Sequence, residues 1–172
     1  LGKDMQFIPW SEELKSRLKK RWKDAFLKNL AELWYETGEW TPHVRYDYMD
    51  ETTLQLSQSF SGQIGDWCEA HKVSHIGHII EDDNSHGRLG CSTGHYFRSL
   101  SDMRMAGIDV VLQQVMPEID QEEHQWVASS RDGEFFHYGL GKMGSSLAHI
   151  DPKKQGDSMC EIFGAFGWQE GT

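Results

Sequence analysis

Gly77-His78-Ile79-Ile80-Glu81-Asp82-Asp83 sets a short apolar run against three consecutive carboxylates, and Met159-Cys160-Glu161-Ile162-Phe163-Gly164 carries a further acid inside a second run. A strand buried on both faces reads as a continuous apolar stretch, and in a parallel barrel the residues at strand carboxyl ends line the mouth where ligands bind. The two runs therefore predict parallel strands with chemistry at their ends.

Upstream of these runs, Ser11 is placed to cap a helix whose first turn holds Glu12 and Glu13. Leu14, Leu18, Trp22, Phe26, Leu30 and Trp34 recur at four-residue steps with Leu27 and Leu33 beside them, predicting one long amphipathic helix to about Glu36, ended by Gly38. Val44-Arg45-Tyr46-Asp47-Tyr48 alternates apolar and polar side chains like a strand, and Asp50 to Thr53 offers caps for a second helix. That helix carries Leu56, Phe60, Ile64, Trp67 and Cys68 and ends near His71, after which Val73 to Ile80 is the next strand. Thr93 to Ala106 reads as a helix with Gly107 as its left-handed C-cap, and Ile108 to Leu112 as a third strand. Beyond a polar, acidic segment from Gln113 to Asp132, Phe136, Leu140, Met143, Leu147 and Ile150 mark a third crossover helix broken by Pro152. Met159 to Phe166 is the fourth strand. About four β/α units in succession predict an α/β fold, either an open sheet or part of a (β/α)8 TIM barrel, behind a long N-terminal helix.

The chain of 172 residues can bury roughly 70% of the surface its unfolded form exposes, so a single domain over 1–172 needs no disulfide or metal to fold. Its formal net charge of −10 argues against a phosphate backbone or an anionic membrane as partner. Cys68, Cys91 and Cys160 cannot all pair and none forms a C-x-x-C, so they read as reduced thiols. The N-terminus lacks a signal-peptide layout and no apolar run is long enough to span a bilayer, which predicts a soluble chain. No Gly-rich phosphate fingerprint follows any strand, which disfavours nucleotide binding, and no nucleophile elbow supports a serine or cysteine hydrolase. No cofactor is expected.

Adjacent carboxylates in a partly dry site cannot all ionise freely, so one of Glu81, Asp82 and Asp83 can keep a proton and serve as general acid. Two carboxylates with split roles are what glycosidic cleavage needs. Glu161 is the stronger candidate, because an acid among Cys160, Ile162 and Phe163 needs a partner or a task, and Glu81 is its proposed partner. His78, Asp82, Asp109, Gln113, Arg45, Asp47 and Trp168 are the candidate substrate contacts. The three-acid run also reads as a solvated turn, and Arg45 with Asp47 as an internal ion pair.

Four runs carry a family likeness: Asp66-Trp67-Cys68-Glu69-Ala70-His71, Ile76-Gly77-His78, Gly107-Ile108-Asp109-Val110, and Cys160-Glu161-Ile162-Phe163-Gly164-Ala165-Phe166-Gly167-Trp168. They resemble large bacterial glycoside hydrolases that join a (β/α)8 barrel to jelly-roll domains, loosely related to family 2 and to the α-L-rhamnosidase group. The resemblance implies glycosidase activity, a carbohydrate substrate and strand-end glutamates as the catalytic pair. Family 2 marks its acid/base strand with Asn-Glu, which is missing here, so the likeness leans to the rhamnosidase-like group. A complete barrel needs about 250 residues. The chain then reads as a fragment of such an enzyme, inactive alone and prone to self-association through open sheet edges. Two rivals are a metal-dependent hydrolase using His75, His78, Asp82 and Asp109, and a non-catalytic α/β module that binds sugar through its aromatics.

Overall fold

The computed structural model describes residues 8–79, 94–111, 114–115 and 133–164. Glu81, Asp82, Gln113 and Trp168 lie outside the described residues, as does Cys91.

The elements described up to Ala70 are all helices. Helix α1, Glu12–Trp22, opens where Ser11 accepts a hydrogen bond from the Leu14 amide, and Glu12 and Glu13 fill its first turn. The expected single long helix is interrupted by a 3-10 turn, Lys23–Ala25, before α2, Phe26–Glu32. Helix α3, Thr41–Leu56, begins at a Pro in its first turn and runs on through a π-helical turn, Ser57–Gly62, into α4, Gln63–Ala70. Leu14, Leu18, Trp22 and Phe26 bury one face against Val44, Tyr48 and Met49 of α3.

The strand expected at Val44 to Tyr48 is therefore part of α3. Its alternation over five residues competes with a longer helical spacing, in which Val44, Tyr48 and Thr53 are all buried, and the longer pattern wins. Asp50 to Thr53 caps nothing, since the helix is already under way. The face that α3 and α4 turn inward is also not the apolar stripe expected: Phe60 and Trp67 are exposed, while Ser57, Ser61 and Gly65 are buried. Small residues are required there because the next segment packs close. A Cβ on Gly65 would lie 2.4 Å from the Asp102 carbonyl oxygen, and Ser61 Oγ donates to the Ser99 carbonyl at 2.5 Å.

Among the described residues the sheet has three parallel strands in the order β1 (Ile76–Gly77), β2 (Met105–Val111), β3 (Ser158–Gly164). Among the described residues of the helix expected over Thr93 to Ala106, Tyr96–Ser99 is helical (α5), and Tyr96, Leu100 and Met103 are buried. Gly107 is not a helix cap. It lies in the middle of β2, where an added Cβ would fall 2.0 Å from the Met159 carbonyl oxygen. A second π-helical turn, Phe135–Gly139, leads into α6, Leu140–Ile150, which Pro152 ends as expected. Helix α6 covers the Ala106–Ile108 face with Leu140 and Leu147, and Gly144 lets the two elements approach to within 3.3 Å of where its Cβ would be.

This architecture corrects the expectation of a partial TIM barrel. Among the described residues four α-helices precede the first strand, their core is separate from that of the sheet, and three strands form an open sheet rather than an arc of a closed one. No helix among the described residues is long and apolar enough to cross a membrane.

Candidate active site

Parallel strands bring their carboxyl ends to one edge of a sheet, and side chains in register share a face. Asp109 is in register with Glu161, so the two carboxylates lie on the face opposite Ile108 and α6. Gly77 is in register with Ala106, and one further step along β1 sets His78 level with Gly107 on the same face as the acids. Gly107 has no side chain to keep its neighbours apart. His78 and Glu161 meet across the central strand, with His78 Nε2 2.8 Å from Glu161 Oε2.

His78 makes polar contacts through both ring nitrogens. Its Nδ1 lies 3.1 Å from the Ile79 carbonyl oxygen, which can only accept, so Nδ1 donates. Nε2 donates to the Glu161 carboxylate when it carries a proton. His78 and Glu161 are thus joined by a hydrogen bond that crosses β2, with Glu161 in the middle of β3. His78 is mostly shielded, with its side chain 20% exposed, whereas that of Glu161 is 57% exposed and can reach a ligand.

Asp109 is 4% exposed, and its Oδ1 has no hydrogen-bond partner among the described residues. The local field is negative: burial, followed by the charges of Asp109 and Glu161, raises the Cys160 thiol above its ordinary pKa.

Of the residues expected to act together, the structure assembles Glu161, His78 and Asp109. Arg45 and Asp47 are elsewhere, on α3. Two residues apart on a helix point in different directions, so they do not pair. Arg45 Nε donates to the Glu32 carbonyl at 3.1 Å, while Asp47 accepts from the Trp22 indole at 3.0 Å and faces Arg21 at 2.9 Å. Both are structural contacts of the helical core. The joint role of His78 and Glu161 is missed by reading each strand singly; the register of three parallel strands is what reveals it.

A cleft of about 410 Å³ lies at the other end of the sheet, lined by Ser74, His75, Asp102, Arg104 and Lys153. His75, whose pKa is lowered by burial, belongs to that end, so it does not converge with His78. Among the described residues no three His, Cys, Asp or Glu side chains are grouped to hold a metal ion. Cys68 and Cys160 are free thiols.

No protein-family model, no curated protein and no solved structure matches the chain.

Proposed function

We propose that this chain is part of a glycoside hydrolase and that Glu161, backed by His78, is the residue that handles the proton. The observation that carries the reading is the 2.8 Å contact between His78 Nε2 and Glu161 Oε2, on the sheet face that also carries Asp109. Cleavage of an O-glycosidic bond needs a proton on the leaving oxygen as the C–O bond breaks, and a second carboxylate to act as nucleophile or to activate water. Glu161 is exposed enough to give its proton to that oxygen, and His78 behind it returns one. The second carboxylate is assigned to Glu81, which follows His78 by three residues, a chain length that spans at most about 11 Å. Asp109 supplies a buried acceptor for a sugar hydroxyl. Support also comes from the likeness of the Cys160 to Trp168 run to rhamnosidase-like enzymes.

The test is hydrolysis of a panel of aryl glycosides by the full-length protein and its Glu161→Gln variant. Turnover of at least one glycoside, lowered about 10²–10⁴-fold in the variant, is expected. Undiminished turnover by Glu161→Gln would remove the residue from the mechanism.

A further inference from the structure

The connection between α2 and α3 displays three large aromatic side chains to solvent: Trp34 is 46% exposed, Tyr35 70% and Trp40 71%. Exposed rings on a floppy loop would need no explanation, but this connection is held from beneath. Glu32 is 3% exposed and its two carboxylate oxygens accept from the hydroxyls of Thr37 and Thr41, one from each. Thr41 Oγ1 also accepts from the Thr37 amide at 3.2 Å, and Arg45 ties down the Glu32 carbonyl. The backbone is fixed at both ends, by Trp34 and Tyr35 amides donating to the Ala31 carbonyl and by the Thr41 amide donating to Gly38. A buried carboxylate committed to a surface connection stabilises the shape of the backbone that carries the three exposed rings.

Their surroundings select among occupants. Trp40 leans on His43 at a ring separation of 5.2 Å and a tilt of 46°, so it is supported along one side rather than covered. By contrast Trp67, exposed to a similar degree, has a ring face stacked on His71 at 4.0 Å. Glu36, Thr37, Glu39 and His43 interleave the rings with hydrogen-bonding groups, and the acidic neighbours oppose a phosphate-bearing chain. Open ring faces flanked by acceptors and hydroxyls match the alternating C–H faces and hydroxyl edges of sugars.

We infer that the connection between α2 and α3 is a carbohydrate-binding platform, with Trp40 and Tyr35 as its stacking rings, that holds a glycan chain outside the catalytic site. The ligand class rests on the glycosidase reading, while the platform itself involves none of the residues at the strand ends.

The experiment is affinity electrophoresis of the full-length protein through gels containing xyloglucan, arabinoxylan, galactomannan or pectin. Retardation by at least one polysaccharide is expected, weakened at least about tenfold in Trp40→Ala and Tyr35→Ala, the loss that removing a stacking ring produces. Trp67→Ala should keep wild-type retardation. So should Glu161→Gln, whose loss of hydrolysis with retained binding separates the platform from the catalytic site. Retardation without hydrolysis by the wild type would sink the glycosidase reading and leave the platform standing. No retardation by any of the four, or equal loss in Trp67→Ala, would overturn the platform.

Discussion

His78 Nε2 and Glu161 Oε2 lie 2.8 Å apart although His78 directly follows the first strand of the sheet and Glu161 lies in the third, with Gly107 of the second strand between them. The contact depends on register: one residue of slip in either pairing would turn one of the two side chains to the other face. The site is thus a property of the sheet and not of either strand.

The charges at the site are readable through Cys160. Its thiol is raised by burial and then by Asp109 and Glu161, so removing either charge favours the thiolate. Peptide-resolved iodoacetamide labelling near pH 8 should therefore speed up at Cys160 in Asp109→Asn and in Glu161→Gln, by roughly two- to fivefold, with Asp109→Asn the larger effect. Unchanged labelling in both variants would mean that the carboxylates do not face this strand as described.

Substitution at the two close-approach glycines should destabilise the fold. Alanine at Gly107 meets Met159 backbone oxygen at 2.0 Å, and alanine at Gly65 meets Asp102 backbone oxygen at 2.4 Å. Backbone must move in each case, at about 1–3 kcal/mol or more, read as a lowered urea midpoint. Gly141, with nothing within 4 Å of a built Cβ, should tolerate alanine.

Lys154 is completely buried, and its ammonium donates to the carbonyls of Ser101 and Met103 and to Asp151 at 2.8–2.9 Å. Lys154→Met leaves these acceptors unpartnered and should cost about 3–5 kcal/mol in denaturant unfolding. A loss under 1 kcal/mol, roughly the worth of an exposed pair, would show that the ammonium reaches water.

How much of this was legible in the residues differs from element to element. The start of α1 could be read from Ser11 and two acids, and the α6 face from Leu140 and Leu147, because local capping and a long period decide both. Val44 to Tyr48 could not, since five alternating residues are too few to outweigh a helix whose partner, α1, lies far along the chain. Gly107 was misread for a related reason: a glycine after a helical pattern resembles a C-cap, and only the pressure of Met159 across the sheet shows why no side chain fits. At the site, Glu161 stood out as an acid in an apolar run, but its partner was hidden 83 positions away. The expectation of a barrel rests on four strands, of which Val44 to Tyr48 is part of α3 and the other three form an open sheet.

Acid should unfold the protein through its helical part. Thr37 and Thr41 hydroxyls hold Glu32 below its ordinary pKa; burial would raise Asp50, but hydrogen bonds from Arg98 and Arg21 outweigh it and hold it low. Both groups bind protons more tightly unfolded, so their stabilisation is present above the unfolded carboxylate value near ~4 and disappears as pH falls through the lower folded values. Urea midpoints between about pH 6 and pH 2 should fall in the wild type and fall less steeply in Glu32→Gln and Asp50→Asn. Parallel curves would contradict the assignment.

The central claim is that Glu161 gives the leaving oxygen its proton, and leaving-group dependence tests it most directly. In the full-length protein, Glu161→Gln should cleave dinitrophenyl glycosides, whose leaving group needs no proton, within about tenfold of wild type, yet lose about 10²–10⁴-fold on phenyl or alkyl glycosides. An equal loss on both kinds of substrate, or none on either, would contradict it.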